Sequence, residues 1–146
     1  MDRTLAGIAH PWLCDGMGHL NTRHYLALFD DATHVVLARL GHSFRGPAEK
    51  QFGWADVRNE IDYLVEVPQG TVVDIYSGIY KLGTKSLTIL SEMRDVETSQ
   101  VHARMKAVVV YIDLAKRKAL PISDEIRRHA TPLLIPSDSQ HVIHEG

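Results

Sequence analysis

Between Cys14 and Asn21 the chain reads Cys14-Asp15-Gly16-Met17-Gly18-His19-Leu20-Asn21, which sets a carboxylate, an imidazole and an amide close together with glycines between them. An aspartate with an ordinary pKa near ~3.9 is ionised at neutral pH and can serve as a nucleophile or a general base. Gly16 and Gly18 let the backbone pass close to a ligand and adopt conformations closed to other residues. The residues that follow have the pattern of a helix, so the loop leads into a helix N-terminus. The N–H groups there have no partner within the helix and suit an oxygen gaining negative charge. On spacing alone a plainer reading is favoured, in which Asp15 and Asn21 cap turns and His19 is a packed loop residue.

The elements that must position this loop are legible from periodicity. From Thr22 to Leu40, Tyr25, Leu28, Phe29, Ala32, Val35, Val36 and Leu40 recur at three- and four-residue steps, which predicts a long helix with Asn21 as N-cap and Gly41 as its stop. Leu26, Ala27 and Leu37 make it apolar around much of its girth, so other structure is expected to cover it. From Ala55 to Val67 the period changes to two, with Ala55, Val57, Asn59, Ile61, Tyr63, Val65 and Val67 at the odd positions and charged residues at most even ones, which predicts a strand with one buried and one solvated face. Thr71–Tyr80, Ser86–Met93 and Val101–Asp113 follow as strands through short turns, an antiparallel meander. Leu5–Trp12 is expected to add a strand before the helix, and Ser123 to cap a short helix to Ala130. One domain over residues 1–130 and a loose C-terminal extension over 131–146 complete the expected layout.

Composition narrows the function classes. With 45% hydrophobic and 23% charged residues the chain is an ordinary globular one, and a net charge of −2 gives no reason to expect nucleic-acid binding. Cys14 is the only cysteine, which rules out an intramolecular disulfide and a metal site built on several thiolates. Cys14 reads as structural, since the carboxylate beside it disfavours a thiolate. Met1–Ala6 lacks the apolar run of a signal peptide and no segment approaches membrane-spanning length, so a cytoplasmic protein without a membrane partner is expected. Of the nine histidines only His19 and His24 lie near the loop, and no metal-ligand spacing is present.

The segment Asp15-Gly16-Met17-Gly18-His19-Leu20-Asn21-Thr22-Arg23-His24-Tyr25, followed by Phe29 and closed by Leu40-Gly41, resembles the signature of the hotdog-fold acyl-CoA thioesterases, in the 4-hydroxybenzoyl-CoA thioesterase-like branch. That signature is an aspartate, a Gly-His, an asparagine pair, a tyrosine in the helix and a glycine at its end. The likeness continues through Ile61-Asp62-Tyr63, the Gly70 turn, Val109–Asp113 and Pro121. Thr22 stands where many members carry the second asparagine. The resemblance implies an α+β hotdog fold, an antiparallel sheet of about five strands wrapped around one long central helix.

It also implies roles. Asp15 matches the catalytic carboxylate, and the backbone N–H groups of Thr22 and Arg23 would polarise a thioester carbonyl. His19 and Asn21 would orient the loop, the carboxylate or a water, and Tyr25 would support the site from within the helix. Gly18 would let backbone approach the substrate. Trp12 and Trp54, with Phe52, are candidates for an acyl pocket. Lys85, beside Gly83 and Ser86 in a turn able to offer N–H groups, is preferred over Lys81 and Arg94 for the phosphates of coenzyme A. The implied reaction is hydrolysis of an acyl-CoA to the free acid and CoA by a homodimer or dimer of dimers with sites at a dimer interface. CoA belongs to the substrate, and neither a separate cofactor nor a metal is expected. A hydratase or dehydratase acting on acyl thioesters and a non-catalytic acyl-CoA-binding scaffold remain the alternatives.

Overall fold

The computed structural model describes residues 1–43, 45 and 51–144, with backbone only for 141–144, so the side chains of His141 and His144 and the last two residues of the tail lie outside the described residues. Six strands and three α-helices follow in the order β1 (Asp2–Ile8), α1 (Thr22–Arg39), β2 (Phe52–Tyr63), β3 (Val72–Leu82), β4 (Ser86–Asp95), β5 (Val101–Asp113), β6 (Lys118–Ala119), α2 (Asp124–Ala130) and α3 (Ser137–His144). Every pairing between strands is antiparallel, in the order β1-β3-β4-β5-β2, with β6 paired to the end of β5.

α1 forms where the three- and four-residue spacing placed it. The side chain of Asn21 accepts the N–H of Arg23, and Gly41 adopts φ +89°, a left-handed conformation that lets the chain turn away from the helix. Its apolar stripe meets one face of the sheet. Tyr25, Phe29 and Ala32 pack with Val73, Ile75, Met93 and Met105, while Val36, Leu37 and Leu40 pack with Ile79, Leu87, Ile89 and Val109. The strand register makes these rows continuous: Ile75 faces Met93, which faces Ala103, and Ile79 faces Ile89, which faces Ala107.

Three expectations change at the edges of the sheet. The first strand ends at Ile8, because Pro11 has no N–H to give a ladder and opens a short 3-10 turn over Pro11–Leu13. The period-two reading of Ala55–Val67 fails at a bulge, where Val57 is the extra residue between Asp56 and Arg58. Asn59, Ile61 and Tyr63 share the face of their α1-side partners, but upstream of the bulge that face belongs to Trp54 and Asp56. As a terminal strand with no neighbour on its outer side among the described residues, β2 is largely exposed on both faces, with Val57 58% and Tyr63 51% accessible. The count of strands rises to six because Lys118–Ala119 folds back on Ile112–Asp113.

The segment after α2 packs on the sheet. β1 pairs with β3 only from Val72 to Ser77; beyond it Leu134 forms a parallel bridge with Ile79, and the N–H of Ile135 donates to the Ile79 carbonyl at 2.9 Å. Ile135 is buried over Gly78, where a Cβ would stand 2.7 Å from its Cγ1.

On the face away from α1, buried Glu92 lies between two guanidinium groups. Arg94 reaches one carboxylate oxygen at 2.7 Å and Arg104 the other at 2.8 Å, and Arg94 also sits over the Tyr76 ring. Burial by itself pushes this carboxyl up, but the two arginines outweigh it and hold Glu92 below the usual glutamate range. A lowered folded-state pKa gives stability that is complete above the unfolded value and lost as pH falls through the folded one. Glu92→Gln is therefore expected to cost about 3 kcal/mol at pH 7 in urea unfolding, the scale of breaking a buried pair, and to flatten the acid side of the stability profile.

Candidate active site

The loop ahead of α1 is closed on itself. The Asp15 N–H donates to the His19 carbonyl at 2.9 Å, the Gly18 N–H to the Asp15 carbonyl at 3.1 Å, and Gly18 holds φ +82°, which an L side chain would strain to adopt. Asp15 Oδ1 accepts the N–H of Met17 at 2.9 Å and of His19 at 3.3 Å. The other carboxylate oxygen makes no hydrogen bond among the described residues. Asp15 thus caps the turn with one oxygen, in line with the plainer reading of its spacing, and leaves the other free of hydrogen bonds among the described residues.

Three backbone bonds tie this loop to the body. The Leu20 N–H donates to Val67, the Gln69 N–H to Gly18 and the Asn21 N–H to Leu13, all between 2.8 and 2.9 Å. They set the loop against the segment between β2 and β3, leaving a cavity of about 250 Å³ lined by Asp15, His19, Thr22, Tyr25, Tyr63 and Glu66, among others. At the helix start the Arg23 N–H is taken up at 3.3 Å by the Asn21 side chain, and the His24 N–H by the Asn21 carbonyl. The Thr22 N–H has no such partner among the described residues and belongs to a residue lining the cavity.

Tyr25 is buried and meets Tyr63 edge-on, ring centroids 5.0 Å apart. Burial raises its phenol pKa, and the nearby charge of Glu66, the Tyr63 phenol and Asp15 add to the rise against a backbone hydrogen bond to Val67. Tyr25 therefore stays protonated and keeps a hydroxyl hydrogen to donate. The Nε2 of His19 lies 3.3 Å from a carboxylate oxygen of Glu66, while its Nδ1 is buried without a hydrogen-bond partner among the described residues. Cys14 gives its thiol to backbone carbonyls of His10 and Ala9, in keeping with a structural role.

The expected site residues divide between two ends of the molecule. Asp15, Gly18, His19, Asn21, Thr22, Arg23 and Tyr25 cluster at the start of α1. Trp12 is beside them in sequence, but it is 73% exposed and stacks on His10 at 4.3 Å, outside the cavity lining. Trp54 packs on Tyr111 at the opposite end, and Tyr111 donates its N–H to the Lys85 carbonyl. Nine residues of strand separate Trp54 from Tyr63, roughly 30 Å at the usual rise, so Trp54, Lys85 and Ser86 do not meet Asp15 within one protomer. The turn at Lys85 is already occupied: the Gly83 N–H donates to the Ser86 carbonyl, and Arg127 of α2 takes the Gly83 carbonyl at 2.7 Å. Arg94 is held by Glu92 on the far face of the sheet. A larger cavity of about 540 Å³, between His42, Phe52, Trp54, Tyr111 and Glu125, also lies at that distant end. Among the described residues no group of three His, Cys, Asp or Glu is placed to hold a metal, and no helix is long and apolar enough to cross a membrane.

Tyr63 and Glu66 are among the cavity residues that sequence reasoning did not pick out as site residues, with Met17, Leu20, Leu64 and Val65. Glu66 read as one more solvated position of an alternating strand; the signal was its place beyond the last regular pair, just before the Pro68-Gln69-Gly70 turn.

The sequence matches the thioesterase-like superfamily over residues 9–129. No curated protein matches it. Among solved structures, a predicted thioesterase from Bacillus stearothermophilus is similar at 25% identity and a TM-score of 0.78, over 90% of this chain and 95% of that one. A 1,4-dihydroxy-2-naphthoyl-CoA thioesterase from Synechocystis is 19% identical, with a TM-score of 0.77 over 88% and 95% of the two chains. A Staphylococcus aureus protein in complex with CoA is 15% identical, with a TM-score of 0.73 over 91% and 85%. The last two likenesses are of fold.

The Asn21 cap carries a test of how the helix start is held. Asn21→Ala is expected to lower stability by about 1 kcal/mol in urea unfolding, with Asn21→Ser restoring most of it.

Proposed function

Because the chain belongs to the thioesterase-like superfamily, we propose that it hydrolyses an acyl-CoA thioester to the free acid and CoA at the Asp15 cavity. The observation that carries this reading is the Asp15 carboxylate itself. One of its oxygens is fixed by two backbone N–H groups, and the other is free beside a helix N-terminus. Synechocystis and Staphylococcus aureus structures of this fold, one an acyl-CoA thioesterase and the other a complex with CoA, support the substrate class.

The chemistry needs little from the enzyme at the leaving group, since an alkyl thiol with a pKa near ~8.5 departs readily as thiolate. What must be supplied is an oxygen nucleophile and a place for the oxyanion. Either the free oxygen of Asp15 attacks the thioester carbon, and water then cleaves the mixed anhydride, or Asp15 takes a proton from a water that attacks directly. In both, the C–S bond breaks with its electron pair leaving on sulfur. The Thr22 N–H stabilises the carbonyl oxygen as charge develops, helped by the dipole of α1 and by the Arg23 N–H when Asn21 releases it. Tyr25, kept protonated, adds a donor at the cavity wall.

The sheet folds around α1 in the hotdog manner in this reading, and the protein works as a dimer joined through the outer side of β2, singly or as a dimer of dimers. Two copies of one strand paired about a two-fold axis run in opposite directions. The end bearing Trp54, Lys85 and Ser86 then comes beside the partner's Asp15 end, which reunites the two halves of the site.

Asp15→Asn tests the reading closely, because an amide oxygen still accepts the Met17 and His19 N–H groups and preserves the loop. Free-thiol release from a panel of acyl-CoAs is expected for the wild type, with kcat at least about 100-fold lower in Asp15→Asn. Equal turnover by the two proteins would assign Asp15 to the turn alone.

A further inference from the structure

The cavity of about 540 Å³ at the end of the molecule away from Asp15 has no part in the steps just described, and its size is that of a small-molecule site. Strand register builds its aromatic wall. Phe52 and Trp54 stand two residues apart on β2 and so share a face, and Trp54 pairs across to Tyr111 on β5. The rings lean on one another: Trp54 meets Tyr111 at 5.1 Å and 47°, and Phe52 meets Tyr111 at 5.7 Å and 34°. Leu40 at the end of α1 and Ile126 of α2 add aliphatic surface.

The electrostatics of this wall favour a positive guest. Glu125 of α2 lines the cavity, and its carboxylate is taken up by no ion pair or hydrogen bond among the described residues. No lysine or arginine is among the described lining residues. The C-terminal end of α1, the negative pole of its dipole, reaches the cavity at Leu40 and Gly41. The N-terminal turn of α2 brings a positive pole there too, but Asp124 and Glu125 within it offset that pole. Such an offset is the plain role of Glu125, and it leaves the aromatic wall unexplained.

Elsewhere the protein covers tyrosine rings with its own cations, Arg94 at 4.5 Å from the Tyr76 centroid and Lys106 at 4.7 Å from that of Tyr80. Over Phe52, Trp54 and Tyr111 no cation of the described residues stands. Aromatic faces attract a quaternary ammonium group, whose methyl groups pack against the rings and ask for no hydrogen bonds. A bare metal ion would need several ligands, and no group of three His, Cys, Asp or Glu among the described residues is placed to supply them.

We propose that this cavity binds the quaternary ammonium group of a small organic cation, held against Trp54 and Tyr111 with Glu125 as its counter-charge. The cation is either a free molecule or the end of an acyl chain. The second source rests on the thioester-hydrolase reading and its β2-paired dimer, which sets this end of one protomer beside the partner's Asp15.

The experiment uses the full chain labelled with ¹⁵N, whose two tryptophan indole N–H signals are assigned with Trp12→Phe, Trp12 lying outside the cavity lining. Choline is titrated at about pH 8.5, where an ordinary imidazole such as that of His42 is uncharged, alongside its neutral carbon isostere with tert-butyl in place of trimethylammonium. The Trp54 signal is expected to move with choline in the millimolar range, and with the isostere at least about five-fold more weakly. Glu125→Gln, an exposed change that leaves the rings alone, is expected to weaken choline about three-fold and leave the isostere unaffected. Tyr111→Leu, which keeps the wall apolar with one ring fewer, is expected to weaken choline about five-fold. Equal affinity for choline and the isostere overturns the proposal, as does a Trp54 signal that choline does not move or a choline affinity unchanged in Glu125→Gln. The source of the cation is read from two CoA thioesters, one with an acyl chain ending in trimethylammonium and one ending in tert-butyl. An acyl group held here gives the first a lower KM, an advantage lost in Glu125→Gln; a free cation as ligand leaves the two KM values alike. If the wild type cleaves no acyl-CoA, the hydrolase reading fails, and the choline titration still decides the site.

Discussion

Burial of the apolar stripe of α1 on the sheet constrains the helix along its whole length. Phe29 and Ala32 are fully enclosed, and Tyr25, Val36, Leu37 and Leu40 nearly so. Removing that much apolar surface from water is worth on the order of 2 kcal/mol for each large side chain, more than any single polar contact nearby. A helix locked in this way cannot slide or turn about its axis. The place where its first N–H groups emerge is settled by the core, and the loop that carries Asp15 has to meet it there.

Around that fixed point the polar groups are arranged so that few are wasted. Asn21 takes one helix N–H with its side chain and another with its carbonyl, while the Thr22 N–H has no partner among the described residues. Asp15 spends one oxygen on its own turn. Tyr25 is kept neutral by its burial and by acidic neighbours, and so complements the carboxylates without competing for their protons. Loop, helix start and β2–β3 connection are joined by backbone bonds, which fix a site with less entropy to lose than side chains alone would.

Much of this was legible in the residues. α1, its Asn21 cap, the Ser123 cap of α2 and the exact span of β5 follow from local signals: side-chain period, short polar caps and a dense apolar run. What eluded periodicity depends on neighbours. A bulge such as that at Val57 costs one residue and reverses the face of everything upstream, and nothing in the alternation of Ala55–Val67 announces it. β2 carries the pattern of a half-buried strand, yet its outer side has no cover among the described residues, so its burial cannot be judged from its own sequence. Trp54, Lys85 and Ser86 have the right chemistry for an acyl-CoA, but the length of a strand stands between them and Asp15. Glu66 was masked by its regular position, since its nearness to His19, 3.3 Å away in space, joins residues far apart in sequence.

The two sides of the sheet differ in what they offer a further strand. At the β1 side the strand is short, a bulge interrupts it between Arg3 and Leu5, and Arg39 reaches over to take the Arg3 carbonyl at 3.2 Å; past its end, Leu134 and Ile135 close the exposed stretch of β3. At the β2 side the regular run from Arg58 to Tyr63 has no such cover among the described residues. A sheet extendable from both sides can add copies without limit and grow into a fibre. One that can be extended from a single side is self-terminating, since the first copy to dock covers the edge that a further copy would need.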